Sequence, residues 1–382
     1  MRVLHVISDI AAAAGGVTSA VVGLAISQQR AGIAASVLST WRAELDQTNV
    51  DLLRSAGVNV RTIGPTSGRL MRHPDLSAAV DEAVAGADIV HIAAIWEEIH
   101  HTAAATARRR SVPYIFSPHG MLDPWSLSRN RWVKRLYLAW RLRRDLNGAA
   151  ALHFTCDVER NLVSSLGLQP LAIVEPNGLD LREFEHLPAP DVFRGQYPQL
   201  ADRPIILFLS RIDPKKGLDL LIPAFASVPA EYMLVIAGPD LVGYRTEVQR
   251  CIDELGLQDR VVFTGMLRGA DRIAAMAAAT LFVLPSYQEN FGIVVAESLA
   301  AGVPVVISDQ VNIHAEISRA GVGGVVPTKA ETLAVEMNRW LKDQPLRSAA
   351  AAKCRPFAWE HYDWRRIAER WAAHYLRCSN ED

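Results

Sequence analysis

Short apolar runs alternate with longer segments of helical periodicity along almost the whole chain. Most of the runs are near-continuous Val, Ile and Leu, which is typical of parallel strands buried on both faces. The runs cover residues 2–9, 35–40, 58–64, 87–94, 112–119, 151–156, 171–178, 205–210, 232–238, 261–265, 280–286, 303–309 and 325–327. This is more strands than one doubly wound sheet usually holds. The pattern therefore predicts an α/β protein with two parallel-sheet domains of similar size.

The alternation of strands and helices is interrupted once, by a stretch that contains Pro188, Pro190, Gly195 and Pro198 and lacks a strong hydrophobic periodicity. We therefore assign residues 1–180 to a first Rossmann-like domain, 181–203 to a linker and 204–355 to a second Rossmann-like domain. Residues 356–382 are rich in aromatic side chains and predict a C-terminal helix. We expect this helix to pack back toward the first domain at the junction; the alternative is that it only caps the second domain.

Composition excludes several classes of protein. The 382 residues carry 40 Lys and Arg against 41 Asp and Glu, so the surface lacks the overall positive charge of a nucleic-acid-binding protein. The four cysteines are scattered and form no CxxC pair, which argues against a zinc site or a disulfide framework. No convincing secretory signal and no apolar run of bilayer-spanning length is found. We expect a cytoplasmic enzyme whose association with a membrane is at most peripheral.

Candidate functional residues follow the strands, because ligands of open α/β sheets bind beyond the carboxyl ends of the strands. Gly15 and Gly16 follow the first run and open a helix, where free N–H groups suit a phosphate; an ordinary turn is the alternative. Arg211 and Lys216 follow a run in the second half, where two cations suit a diphosphate; a solvated charged turn is the alternative. The dinucleotide fingerprint and the P-loop are both missing, which disfavours a Rossmann oxidoreductase.

The most informative stretch begins at a strand end and runs from Ser286 into a helix that stops at Gly302. Glu289 lies in the loop at the start of this helix, and Glu297 lies about two turns in. One carboxylate can accept sugar hydroxyls while the other accepts ribose hydroxyls, and the backbone between them can present N–H groups to phosphate. His119 follows a buried strand and can reach a ligand; a purely structural histidine is the alternative.

Together these motifs resemble the retaining glycosyltransferases of family 4, in the family's order and over essentially the whole chain. The strings that carry the resemblance are Glu289-x7-Glu297 with Asn290-Phe291-Gly292, Leu299-Ala300-Ala301-Gly302-Val303-Pro304-Val305-Val306, Arg211…Lys216-Gly217, Asn177-Gly178-Leu179-Asp180, Gly15-Gly16, Ala237-Gly238 and Val261-Val262-Phe263-Thr264-Gly265. The resemblance implies the GT-B fold, in which two Rossmann-like domains face each other across the active site.

The resemblance also implies a role for each matching residue. Arg211 and Lys216 would neutralise the donor diphosphate, Glu297 would bind the ribose, and Glu289 and His119 would contact the donor sugar. Backbone contacts to sugar and phosphate and the lining of the base pocket would come from Gly15, Gly16, Gly265, Met266, Leu267, Asn290, Phe291, Gly292 and Ile293. No D-x-D motif occurs in the sequence, so we expect an enzyme with no metal ion and no cofactor.

Two further strings resemble the exopolysaccharide and lipopolysaccharide branch of the family. They are Ser117-Pro118-His119-Gly120-Met121-Leu122-Asp123-Pro124-Trp125 and Asp309-Gln310-Val311-Asn312-Ile313. The branch implies transfer of a hexose from a UDP- or GDP-sugar to a saccharide acceptor that is lipid-linked. The alternatives are a catalytically silent nucleotide-sugar-binding partner of a glycan-assembly complex, and an epimerase or a phosphorylase on the same fold.

Residues 129–144 hold seven basic side chains and no acidic one. Val133, Leu136, Tyr137 and Trp140 are spaced to share one helical face. A basic amphipathic helix with aromatic residues is typical of a segment that lies on an anionic membrane, which for this chain would be the inner face of the cytoplasmic membrane. The alternative is an ordinary surface helix that packs Trp140 inward.

Overall fold

A computed structural model describes residues 1–128 and 131–380 of the chain. The chain divides into two compact units. Residues 1–178 and the chain from Tyr362 onward form the first unit, and Leu179–His361 forms the second. Each unit is built on one parallel sheet, so the predicted α/β architecture with two Rossmann-like domains is confirmed.

The first unit contains a seven-stranded sheet of order β3-β2-β1-β4-β5-β6-β7. Its strands are β1 (Arg2–Ile7), β2 (Ala34–Thr40), β3 (Asn59–Ile63), β4 (Ile89–Ala93), β5 (Tyr114–Ser117), β6 (Ala151–Phe154) and β7 (Leu171–Val174). Its helices are α1 (Gly16–Arg30), α2 (Gln47–Ser55), α3 (Leu76–Ala85), α4 (Glu98–Arg109), α5 (Pro124–Ser128), α6 (Arg131–Tyr137), α7 (Arg143–Asn147) and α8 (Asp157–Val163), with a π-helical turn at Leu138–Leu142. Helix α17 (Trp364–Asn380) completes this unit and packs on α1.

The second unit contains a six-stranded sheet of order β10-β9-β8-β11-β12-β13. Its strands are β8 (Ile205–Leu209), β9 (Met233–Ala237), β10 (Val261–Gly265), β11 (Ala279–Leu284), β12 (Val305–Ser308) and β13 (Gly323–Val326). Its helices are α9 (Pro190–Gln196), α10 (Leu218–Ala226), α11 (Arg245–Glu254), α12 (Gly269–Ala278), α13 (Ile293–Ala300), α14 (His314–Ala320), α15 (Ala330–Lys342) and α16 (Gln344–His361). Strands β8 and β9 are buried along almost their whole length, as expected of strands covered on both faces.

Strand order reverses at one point in each sheet. In the first sheet β1 lies between β2 and β4, and in the second β8 lies between β9 and β11. Such a reversal sends the following helices to opposite faces of the sheet and opens a crevice at the carboxyl ends of two neighbouring strands. In the second unit the two loops at that crevice are the one after β8 and the one after β11, which carry Lys216 and Glu289.

Two segments differ in detail from the sequence prediction. Residues 181–203, predicted as a linker, belong to the second unit and contain α9 and the short 3-10 helices Leu181–Phe184 and Pro198–Leu200. The aromatic tail is not one helix from residue 356, because α16 continues to His361 and α17 starts at Trp364. Trp364 is buried against Gly178, where a Cβ would lie 2.4 Å from the indole ring.

The basic segment 129–144 forms α6, the π-helical turn and the start of α7; Arg129 lies outside the described residues. Trp140 is 79% exposed, so the alternative in which it packs inward is wrong. Tyr137 is half-buried with its ring 5.9 Å from that of Trp96, whereas Val133, Leu136 and Trp140 are exposed. Among the described residues, no helix combines the length and the apolar character needed to cross a bilayer.

Candidate active site

In the second unit the loops after β8 and β11 are joined by side-chain and backbone contacts. The ammonium of Lys216 forms an ion pair with Oε2 of Glu289, and both side chains are mostly shielded from solvent. The backbone N–H of Tyr287 donates to the carbonyl of Lys215 at 2.8 Å. A cation and a carboxylate that were predicted from separate motifs therefore meet at the point where the strand order reverses.

Gly217 allows this close approach of the two loops. Its φ of +74° lies in the left-handed region, and a Cβ at this position would be 2.1 Å from the carbonyl oxygen of Pro285. Both constraints require glycine. The glycine that follows Lys216 in the sequence motif is thus explained by packing against the second loop.

The loop that carries Glu289 is held on its other side by residues that follow β12. The backbone N–H of Glu289 donates to the carbonyl of Gln310 at 3.0 Å, and the N–H of Asn312 donates to the carbonyl of Glu289 at 3.0 Å. The side-chain amide of Asn312 also donates to Oδ1 of Asn290 at 3.3 Å. Residues 309–313, which the sequence singled out only through resemblance, therefore hold the backbone at Glu289 in place.

Helix α13 begins directly after this loop. Gly292, with a φ of +74°, is its N-cap and has no side chain with which to cap the helix. Phe291 is buried, while Asn290 and Ile293 are partly exposed. The first N–H groups of a helix lack partners within the helix and carry partial positive charge, so this terminus can receive an anion.

Glu297 lies inside α13 with its side chain only 6% exposed. Nη1 of Arg272 on α12 contacts Oε1 of Glu297 at 2.7 Å, and Nη2 of the same guanidinium contacts Glu183 at 2.8 Å. Burial raises the pKa of Glu297 to about 7, against the opposing effect of Arg272. Arg272 is the charge partner that a buried Glu297 needs, and the sequence analysis did not identify it.

The other predicted donor-site residues of the second unit lie at strand ends. Arg211 is exposed, and no ion pair to it is found in the described part of the chain. Gly265 ends β10 with a φ of +73°, and its carbonyl accepts from the N–H of Gly238 at 2.7 Å. Met266 is half-exposed and Leu267 partly exposed beyond it. Arg211, Gly265, Met266 and Leu267 therefore lie where they can border a ligand, and they are not part of the Lys216–Glu289 ion pair.

In the first unit, His119 follows β5 with a φ of +50°, a conformation that few residues other than glycine adopt. The N–H of the next residue, Gly120, donates to the fully buried carboxylate of Glu159, which also accepts from the N–H and hydroxyl of Thr155. Burial, together with the neighbouring His153, lowers the pKa of His119 to about 3. His119 is therefore a neutral imidazole at physiological pH, held on a turn that Glu159 fixes.

Gly15 and Gly16 open α1 as predicted from the sequence. Gly15, the N-cap of α1, has a φ of +101° and no side chain with which to cap the helix, and a Cβ built there would meet open space. The preceding Ala12–Ala14 forms a short 3-10 helix. The loop that leads into this 3-10 helix is held by the carboxylate of Asp9, which accepts a hydrogen bond from the N–H of Ala11 at 2.9 Å.

A buried hydrogen-bond chain crosses the first sheet beside His119. It links, in order, His5, Gln28, Tyr375, His91, Ser117, His153 and the carbonyl of Glu175, with every link between 2.6 and 2.9 Å. The ring of His119 lies 6.1 Å from that of His153. Burial lowers the pKa of His5 and of His153 to about 4. No sequence motif indicates this hydrogen-bond chain, because its members come from seven separate segments.

The structure thus places Lys216, Glu289, Asn290 and Gly292 together, and Glu297 nearby in sequence on α13 with Arg272 as its partner. His119, Gly15 and Gly16 belong to the first unit. Over residues 1–128 and 131–380, no group of three or more His, Cys, Asp or Glu side chains is placed to hold a metal ion.

The fold is that of GT-B glycosyltransferases. A crystal structure of HepE from Anabaena in complex with UDP and glucose aligns with a TM-score of 0.79, covering 98% of this chain and 99% of HepE at 22% identity. Residues 15–178 match the family described as Glycosyl transferase 4-like domain, and residues 191–355 match Glycosyl transferases group 1. The chain is therefore a glycosyltransferase built from a 4-like domain and a group 1 domain.

Two named relatives are enzymes of Mycolicibacterium smegmatis. A D-inositol 3-phosphate glycosyltransferase is 26% identical over 370 residues, which cover 91% of this chain and 84% of the relative. A GDP-mannose-dependent alpha-(1-6)-phosphatidylinositol monomannoside mannosyltransferase is 30% identical over 248 residues, which cover 60% of this chain and 63% of the relative. Neither name mentions exopolysaccharide or lipopolysaccharide, so that finer assignment stays a prediction.

Proposed function

We propose that this chain is a retaining hexosyltransferase that moves a sugar from a UDP- or GDP-linked donor to a hydroxyl of a saccharide acceptor. The observation that carries the proposal is the Lys216–Glu289 pair beside the N-terminus of α13, whose N-cap is Gly292. A cation and helix N–H groups suit a diphosphate, and a carboxylate suits sugar hydroxyls. A donor diphosphate would compete with Glu289 for Lys216 and leave the carboxylate to accept from the sugar.

Glu297 is proposed to bind the ribose hydroxyls of the donor. Its carboxylate is buried and oriented by Arg272, so a ribose hydroxyl would replace lost solvation. Met266 and Leu267, beyond β10, are proposed to line the base pocket, and Arg211 is proposed to join Lys216 on the diphosphate. The UDP in the HepE structure and the GDP-mannose in a relative's name support both bases as candidates.

His119 is proposed to contact the donor sugar as a neutral imidazole. Positive charge develops at the anomeric carbon as the bond to the diphosphate breaks, and a protonated histidine would repel it. The pKa of His119, lowered to about 3, keeps the ring uncharged at physiological pH. Gly15 and Gly16 are proposed to let the backbone approach the diphosphate.

The reaction breaks the bond between the anomeric carbon and the diphosphate oxygen, and the electron pair leaves with the diphosphate. The acceptor hydroxyl forms the new bond on the same face, and its proton passes to the departing diphosphate oxygen. Lys216, Arg211 and the N-terminus of α13 stabilise the negative charge that develops there. We propose that these cations serve without a divalent metal, so chelation with EDTA should leave turnover unchanged.

The acceptor is proposed to be lipid-linked, as in the exopolysaccharide and lipopolysaccharide branch, and the enzyme to work on the cytoplasmic face of the membrane. The support is the surface of α6 and the π-helical turn, where Trp132, Leu136 and Trp140 are each more than 70% exposed at four-residue spacing beside basic side chains. Such an apolar and basic face suits the interface of an anionic bilayer.

The test compares Lys216→Met with Lys215→Met, an adjacent change that removes the same charge. Release of nucleoside diphosphate is followed with UDP- and GDP-hexoses and a membrane extract as acceptor. Lys216→Met should lower turnover by about 100-fold, in the range of losing one preorganised charge-stabilising donor, while Lys215→Met stays within a few-fold of wild type. Equal kinetics of the two variants would contradict the site.

A further inference from the structure

A broad groove lies in the first unit between α3, α4 and the helical segment that leads into α7. Its volume is about 1000 Å³. The side chains with charge or aromatic character that line it are Arg72, Glu98, Arg108, Arg109, Trp140, Arg141 and Arg144, together with His73 and His101. None of these residues takes part in the proposed donor site.

The groove has more positive than negative charge. Five arginines line it against the single lining carboxylate of Glu98, which pairs with Arg141. Arg108 pairs with the buried Asp145 at 2.8 Å, and this pair holds its guanidinium in place. Each guanidinium has five N–H donors, so such pairs leave donors for a further anion.

Arg144 and Arg109 are the groove-lining arginines that are best placed to bind a further anion. Arg144 is exposed, and within residues 1–128 and 131–380 no ion pair to it is found. Arg109 is 60% exposed and shares the carboxylate of Asp81 with Arg110. Neither side chain is the partner of a buried carboxylate, so replacing either one does not leave a buried charge unpaired.

An exposed apolar strip adjoins the groove at Trp140, which belongs to both. The strip consists of Trp132, Val133, Leu136 and Trp140, which are 72–79% exposed. Large apolar side chains in a row beside a cationic groove match the two parts of a membrane lipid, whose acyl region is apolar and whose headgroup is anionic.

We propose that this groove binds the phosphate headgroup of an anionic membrane lipid while the strip lies in the bilayer interface. Arginine forks match phosphate oxygens in geometry as well as charge, so the groove would prefer an exposed phosphomonoester, as in phosphatidic acid, to a serine headgroup. The inference rests on the membrane association in the proposed function and is independent of the sugar-transfer chemistry. A surface that acted only by net charge would not distinguish the two headgroups.

The experiment measures partitioning of the full chain onto phosphatidylcholine vesicles that contain either phosphatidic acid or phosphatidylserine, matched in zeta potential. Arg109→Gln/Arg144→Gln removes two groove cations. Arg131→Gln/Arg135→Gln removes the same charge from α6, outside the groove lining. Thermal unfolding checks that both variants are folded, and release of nucleoside diphosphate in the absence of vesicles reports separately on the donor site.

Wild type should favour phosphatidic acid vesicles by about tenfold, the worth of one hydrogen bond to a charged group. The groove variant should bind both vesicles equally, whereas the α6 variant should bind both more weakly and keep the preference. Equal binding of the two headgroups by wild type, or loss of preference in both variants alike, overturns the headgroup site. Failure to bind any vesicle while donor turnover persists also overturns this inference and leaves the transferase assignment intact.

Discussion

At the residue scale, the ionisation of Glu297 is the most sensitive feature of the donor site. Its pKa of about 7 reflects burial, opposed by Arg272 at 2.7 Å. If the ionised carboxylate binds the ribose, nucleotide affinity should rise with pH and level off above that pKa. Affinity for uridine or guanosine, which lack the titrating phosphate, should follow the same curve.

Arg272→Gln removes the charge that keeps the pKa of Glu297 from rising further. We expect the midpoint of the affinity–pH curve to move above 7 by about one unit, so that nucleotide binding at pH 7 weakens several-fold. Arg250→Gln, an exposed change in the same unit, is the control. Titration calorimetry with UDP and GDP between pH 5.5 and 8.5 measures the shift, and an unchanged midpoint would show that Arg272 does not tune Glu297.

Sequence motifs identified the candidate site residues at this scale but not the residues that support them. Glu297 stood out because a carboxylate inside an apolar helix needs a partner. Arg272 did not stand out, since an arginine on the amphipathic α12 looks like ordinary surface charge. Asn312 and Glu159 act through backbone contacts across separate segments, and single-sequence reasoning does not determine such contacts.

At the scale of elements, α17 is tied to the first sheet by a buried polar contact. The hydroxyl of Tyr375 lies 2.9 Å from Nε2 of Gln28 and 2.8 Å from Nδ1 of His91. Tyr375→Phe leaves both groups buried without that partner and should destabilise the protein by about 2 kcal/mol. Tyr137→Phe is the matched control, since its hydroxyl makes no hydrogen bond within the described residues. Equal urea midpoints for the two variants would contradict a stabilising role for this buried hydrogen-bond chain.

The buried histidines of the first unit predict how stability depends on pH. His5, His119 and His153 have a folded-state pKa lowered by burial, so the unfolded chain binds more protons than the folded one below about pH 6.5. Stability is fully present above that pH and is lost as the pH falls toward 4, by roughly 1–2 kcal/mol per histidine at pH 5. Urea midpoints at pH 7.5 and 5.0 measure this; an equal midpoint at both would show that the histidines are not buried as neutral rings. Glu297 acts in the opposite sense, but it is a single group.

Element boundaries were predictable where hydrophobic period decides them and less so elsewhere. Continuous apolar runs located the strands of both sheets, because burial on both faces leaves no polar position. The tail was read as one helix since its aromatic spacing continues, whereas the structure breaks it at Tyr362 and Asp363. Tyr137 shares its helical spacing with Val133 and is nevertheless half-buried, because its ring lies against Trp96, a tertiary contact that helical spacing does not reveal.

At the scale of the whole molecule, the account assigns sugar transfer to a chain with two glycosyltransferase domains. The 4-like and group 1 matches establish the class, and the Lys216–Glu289 pair supports the donor site. Selectivity for the base and the sugar depends on a few side chains such as Met266. The sequence around them contains no motif that indicates which nucleotide sugar is bound. The fold and the motifs identify the class of enzyme, whereas the substrate has to be identified by binding measurements.

The most direct test of the central claim is a panel of UDP-, GDP-, ADP- and dTDP-hexoses, followed by thermal shift and by release of nucleoside diphosphate with a membrane extract. The account predicts selective stabilisation by one nucleotide, with turnover of its sugar and retention at the anomeric carbon of the product, read by NMR. Stabilisation without any nucleotide release would indicate a silent binding protein, and inversion at the anomeric carbon would contradict the proposed same-face transfer.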